Sequence, residues 1–202
     1  NIDADVFLHP VKYKNSIAYE PMAEEAVIAL IAKHFVYDNV SEEIKEYFDE
    51  LDDGYLFSES NLDETDLDKL DKGEIIIGKD ILLHPKFKNI NNFLVLLRDF
   101  ASFKISGIEL EEFTELDEID ELDSFDQSVV YTCNDTSIVK EDELLCSKQF
   151  MIANRINPKM KEVTINNEIK KIKLVEDLKG TFGVIYKNVN EYPFLRVTIK
   201  PL

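Results

Sequence analysis

Basic residues, cysteine, histidine and glycine are all scarce in this chain of 202 residues. There are 23 lysines and arginines against 41 aspartates and glutamates, a formal charge of −18. That balance argues against nucleic acid as a partner, since phosphates would be repelled, and it permits a basic protein partner. The plainest meaning of so much acid is a solvated surface that keeps the protein in solution. Cys133 and Cys146 stand alone, without a CxxC spacing. Neither a disulfide scaffold, a zinc site nor an iron–sulfur cluster is supported, and the usage fits a reducing cytoplasm. His9, His34 and His84 are scattered at no spacing that would pair metal ligands on one helix. No apolar run approaches the roughly 18 residues that span a bilayer, so direct membrane insertion is not expected. The acidic start, Asn1 to Asp5, has no signal-peptide character. Without an initiator Met, and beginning almost inside a strand, the sequence is expected to be a piece of a longer protein.

What is present centres on Lys72–Leu110. Glu74-Ile75-Ile76-Ile77, between Gly73 and Gly78, reads as a strand buried on both faces. Phe87, Ile90, Leu94, Leu97 and Ala101 then recur at three and four, one helical stripe with Arg98 and Asp99 toward water. A second strand, Phe103 to Leu110, completes a parallel βαβ unit. Upstream, Ala4 to Leu8 reads as a strand. A helix from Pro21 buries Ala26, Val27, Leu30, Ile31 and His34. Another helix runs from Glu42 to Asp52 behind Ser41 as N-cap, residues 55–61 form a loop, and a short helix covers Asp63 to Leu70.

Charge and pattern change along the chain. Residues 109–126 hold ten acids and no base, and read as a mobile acidic excursion on a sheet edge. Ser128 to Cys133 returns to strand. Residues 148–202 hold 11 bases and 5 acids, and helical periodicity gives way to short strands at Val163 to Ile165, Ile169 to Val175, Thr181 to Tyr186 and Phe194 to Lys200. Asn166-Asn167 suits a tight hairpin, and 177–180 a second turn. The expected fold is α/β: a mostly parallel, Rossmann-like sheet with flanking helices over residues 1–147, then a small antiparallel β module over 148–202.

Motifs for chemistry fall short. Gly78-Lys79-Asp80 follows a strand, where a phosphate loop would sit. The continuation Ile81-Leu82-Leu83-His84-Pro85 has neither dinucleotide glycines nor a Lys-Ser/Thr pair, so it reads as a plain turn. Asp49 to Ser60 places Asp53-Gly54 as a calcium loop would, but Leu51 occupies a ligand position and Ser60 replaces the closing glutamate. No Gly-x-Ser-x-Gly elbow exists, and carboxylates are too numerous for any two to mark an acid–base pair. No catalytic, cofactor-binding or metal-ligating residue is singled out.

The runs YEPMAEEAVIALIAKHF, EYFDELDDGYLFSES and GEIIIGKDILLHPKFKNINNFLVLLRDFASFKI resemble the large iron–sulfur subunit of bacterial respiratory NADH:quinone oxidoreductase, complex I. The likeness is to its later, molybdopterin-oxidoreductase-like region. IIIGKDILLHP is similar to that family's strand–loop–helix phrase, and DLKGT to a turn in its terminal β domain. The resemblance implies a non-catalytic structural and assembly role in the peripheral arm, contacts with other subunits of that arm, and a cytoplasmic position peripheral to the inner membrane. It implies no cofactor here: the family's iron–sulfur clusters lie in an amino-terminal portion outside this sequence. The family's glycine-rich segment near Lys148 to Ile156 is replaced by KQFMIANRI. A free-standing acidic adaptor for a basic partner is the alternative, and a nucleotide-binding enzyme with its site at the strand ends is a third.

Overall fold

The computed structural model describes residues 6–11, 16–121, 128–178, 180–188 and 190–201. The chain divides into two compact units, Asn1–Asp123 and Ser124–Leu202.

The first unit is mainly helical. β1 (Phe7–Leu8) pairs in parallel with β2 (Ser16–Ile17); Ala4 and Asp5, expected in the first strand, lie outside the described residues. α1 (Glu24–Val36) follows, with Glu24 and Glu25 in its first turn, where the helix dipole favours negative charge. A single 3-10 turn (Tyr37–Asn39) leads to α2 (Glu42–Glu50), α3 (Asp53–Ser60) and α4 (Glu64–Leu67). β3 (Glu74–Ile76), α5 (Lys79–Leu82), α6 (Phe87–Ala101) and β4 (Lys104–Ser106) complete the unit.

α1 and α6 pack along each other and supply most of the core. Ile90, Leu94 and Leu97 on α6 are wholly buried, as their spacing predicts, and Arg98 and Asp99 face water. β3 and β4 are indeed a parallel pair. Gly107, just past β4, has φ +86°, and a Cβ there would stand 2.2 Å from the Ile77 carbonyl oxygen, so only glycine fits.

In the second unit, β5 (Ser128–Cys133), β6 (Glu143–Cys146), β7 (Glu162–Ile165), β8 (Glu168–Leu174), β9 (Gly183–Tyr186), β10 (Phe194–Val197) and β11 (Ile199–Pro201) form one seven-stranded sheet. The strand order is β10-β5-β9-β6-β8-β7-β11. β5–β9 and β6–β8 are parallel, and the other four pairs antiparallel. The two edge strands, β10 and β11, are separated by Thr198 alone, so the sheet must curl until its edges nearly meet. α7 (Lys148–Ala153) contributes Phe150 and Met151 to the core, with Val130, Leu144, Val163 and Val197. Gly183 permits the close approach of β9 to β6, since a Cβ there would meet Leu144 Cδ1 at 2.7 Å.

The expected mostly parallel, Rossmann-like sheet is therefore wrong. The large sheet is mixed and nearly closed, and the parallel pairs β1–β2 and β3–β4 stand as two-stranded sheets. Strands Ser128–Cys133 and Glu143–Cys146 pair with β8, β9 and β10. β3 is not buried on both faces, because Ile76 is 44% exposed. Residues 55–60, expected as loop, belong to α3, started by Asp52, whose side chain accepts the Tyr55 N–H.

Candidate functional site

Ionisable and amide side chains of the first unit collect in three places. The first is the start of α1. His9-Pro10 and His84-Pro85 form matching turns: His9 Nδ1 accepts the Val11 N–H at 2.9 Å, and His84 Nδ1 accepts the Lys86 N–H at 3.1 Å. With Nδ1 occupied as acceptor, a proton sits on Nε2, which faces Glu24 Oε2 at 3.4 Å. That approach is too poorly aimed for a hydrogen bond, and Glu24 Oε2 has no hydrogen-bond partner. Burial first, then the charges of Glu24 and Asp80, push the Tyr19 phenol well above its ordinary range. Burial pulls His9 below the ordinary histidine value, against the opposing pull of Asp80 and Glu24.

Within this cluster the facing pair His84 and Glu24 lacks the access of a proton relay. The side chains of His84 and Glu24 are 5% and 3% exposed, whereas a general acid or base must come within hydrogen-bonding reach of its substrate. Its geometry brings the α5–α6 link against the start of α1 through His84 and Glu24.

The second place is the buried side of α6. Asn89, Asn91 and Asn92 are at most 2% exposed, and each holds main chain of residues 111–117. Asn91 Oδ1 accepts the Glu111 N–H at 2.9 Å, and Asn91 Nδ2 donates to the Glu111 carbonyl at 3.3 Å. Asn92 accepts the Thr114 N–H at 3.2 Å and donates to the Thr114 hydroxyl and the Glu115 carbonyl. Asn89 accepts the Asp117 N–H at 3.0 Å, donates to its carbonyl at 3.0 Å, and also donates to Glu25 Oε1 at 2.8 Å. Burial raises the Glu25 carboxyl above its usual range, with the Asn89 donor opposing.

Tyr47 and Lys86 add bonds to Asp117 O and Asp120. The acidic run is thus an extended strap on α6 through residue 121, not a loose excursion; the rest of it, 122–126, lies outside the described residues. Leu116 and Ile119 pack on the core, while Phe113 is 38% exposed.

The third place is an open cleft of about 280 Å³. Leu30, Lys33 and His34 of α1, Asp53 and Phe57 of α3, and Glu64, Leu67 and Asp68 at α4 line it. Lys33 Nζ donates to the Phe48 carbonyl at 2.6 Å and to Asp53 Oδ2 at 2.7 Å. It thereby closes a free carbonyl at the end of α2 and neutralises Asp53. Glu64 and Asp68 have no ion-pair partner among the described residues.

The residues weighed in the sequence are dispersed. His34, expected in the core, is exposed at the cleft rim. Gly78-Lys79-Asp80 opens the four-residue α5. Asp49 to Ser60 spans the end of α2 and all of α3. Cys133 is half-buried on β5, and Cys146 is buried on β6 with its thiol pushed up to about 11 by desolvation. Lys148 to Ala153 is α7, begun by Ser147, whose hydroxyl accepts the Phe150 N–H. Among the described residues no three histidine, cysteine or carboxylate side chains converge as a metal site, and no helix is long and apolar enough to cross a membrane.

Sequence reading missed the asparagines. Their signal was the run Asn89-Ile90-Asn91-Asn92 inside a helix, since asparagine competes with the helix for backbone hydrogen bonds. No family model matches the chain, and no curated protein or solved structure matches it.

Proposed function

We propose that the chain is a non-catalytic structural and assembly region of the large iron–sulfur subunit of a respiratory NADH:quinone oxidoreductase. In this reading electrons pass from NADH to quinone through the parent complex, and this region contacts other subunits of the peripheral arm on the cytoplasmic side of the inner membrane. Membership rests on the phrases that resemble that subunit, residues 73–100 above all. It draws nothing from the sheet, which is not the one the resemblance implies. The observation that carries a scaffold role is the use made of the polar side chains in that same stretch. His84, Asn89, Asn91 and Asn92 are buried, and each holds main chain or side chain of the protein itself.

The alternative, a free-standing acidic adaptor for a basic partner, is favoured by one feature. The strap is pinned through its backbone, and Glu111, Glu112, Glu115, Asp117, Glu118, Asp120 and Glu121 remain exposed.

One experiment separates the two. The protein is tagged in its native cells, the membranes are gently solubilised, and a native gel is stained for NADH oxidation. Comigration of the tag with the stained band, lost together with assembly when the region is deleted, is the expected result. A tag that migrates apart from NADH dehydrogenase activity, with the enzyme fully assembled in the deletion strain, would overturn the complex I reading.

A further inference from the structure

The cleft between α1, α3 and α4 has a composition that none of the other clusters shares. Its floor is apolar: Leu30 and Leu67 are 2% and 4% exposed, and Phe57 lies beside them. Its rim is acidic. Lys33 is committed to Asp53 and the Phe48 carbonyl, so it offsets one carboxylate and leaves Glu64 and Asp68 uncompensated. A concave wall focuses the field of those two carboxylates.

Size narrows the occupant. At about 280 Å³, the cleft falls at or below the small end of the roughly 300–1,000 Å³ typical of small-molecule sites. That is room for one long side chain. An apolar floor beneath an acidic rim matches a side chain with an aliphatic stem and a cationic head.

Geometry then separates arginine from lysine. Glu64 and Asp68 stand four residues apart, and Asp68 keeps helical backbone angles, so their side chains emerge on one face roughly 5–6 Å apart. A planar guanidinium with five donors can bridge two such carboxylates, whereas an ammonium is a point charge that serves one well. Phe57 supplies an aromatic side chain at the cleft, the kind on which a guanidinium stacks.

We infer that this cleft is a receptacle for an arginine side chain presented by a partner polypeptide. The inference rests on the protein-binding reading only in assigning the arginine to another chain; the cleft's chemistry stands without it.

The test is a titration of the isotope-labelled 202-residue chain with N-acetyl-L-arginine N-methylamide, followed by two-dimensional NMR. Saturable shifts are expected at Leu30, His34 and Leu67, with a dissociation constant on the order of 1 mM, as befits a single side chain. The lysine analogue should bind severalfold more weakly, and the uncharged citrulline analogue should leave the spectrum unchanged. The double variant E64Q/D68N, altered at two exposed positions, should keep the native spectrum and lose the response. The pair E111Q/E115Q on the strap should retain it. Equal binding of the citrulline analogue, shifts centred on residues 111–121, or an undiminished response in E64Q/D68N would each overturn the inference. None of these outcomes bears on comigration with NADH dehydrogenase, so the two readings fail separately.

Discussion

Asn91 and Glu111 are joined as two β-strand residues would be: the Glu111 N–H donates to the Asn91 side chain at 2.9 Å, and the Asn91 side chain donates to the Glu111 carbonyl at 3.3 Å. One amide side chain satisfies both main-chain polar groups of a residue, and Asn89 repeats this at Asp117. Such satisfaction matters because Asn91 is only 2% exposed. Asn91→Ala should lower unfolding stability by about 1–3 kcal/mol, the cost of leaving buried-side polar groups unmatched. It should also speed cleavage at Glu111 and Glu112 by a glutamate-specific protease. Unchanged cleavage and stability would mean that the strap is held by its apolar residues instead.

Leu94 tests the helix pair. It is wholly buried between α6 and the rest of the first core, so Leu94→Ala should cost roughly 2–5 kcal/mol in lost burial and residual cavity. A denaturant midpoint that does not move would show that α6 presents a different face.

His9 should make stability fall in mild acid. Burial lowers its folded-state pKa below 6.5, so as pH drops through 6.5 the unfolded chain gains a proton that the folded chain declines. Stability is then lost down to the folded pKa. Glu25 acts with the opposite sign: its folded pKa is raised above 4.5 by burial, and the folded chain holds a proton that the unfolded chain has released. Lowering the pH into that window restores stability. Thermal melts of His9→Asn should therefore decline less than wild type from pH 7 to 6. An identical decline would assign the effect elsewhere.

The thiols should differ in reactivity. Thiolate is the reactive form, and Cys146, wholly buried with its pKa near 11, offers almost none at pH 8. One equivalent of an aromatic disulfide reagent should react promptly with the native protein, at half-buried Cys133, and two after denaturation. Two prompt equivalents would place β6 outside the curled sheet.

The contrast between α6 and the large sheet explains how far the sequence could be read. Ile90, Leu94 and Leu97 announce their helix because a helical stripe is local. Asn166 and Asn167 likewise announce their hairpin, with φ +47° and +72°. Strand partners are not local. Val129 and Val130 look the same whether β10 and β9 or some other strands flank them, so a mixed sheet was read as parallel. Gly54 and the polar residues around it concealed α3, whose start depends on Asp52. The cleft was illegible for a related reason. Its lining comes from three helices between Leu30 and Asp68, and no spacing in the sequence marks residues that meet only after those helices pack.

Thr198 carries a consequence for how the protein is made. It joins β10 to β11, which pair with β5 and β7 on opposite borders of the sheet, and its N–H donates to Asn166 Oδ1 at 3.0 Å. Until residues 194–201 leave the ribosome, β5 and β7 each display an open edge, the kind of surface on which nascent chains stick to one another. The helical pair α1–α6 has no such wait. A chain stopped before Phe194 should therefore scatter light soon after synthesis, whereas one that reaches Pro201 should not, which makes these last strands the guard of the nascent sheet's solubility.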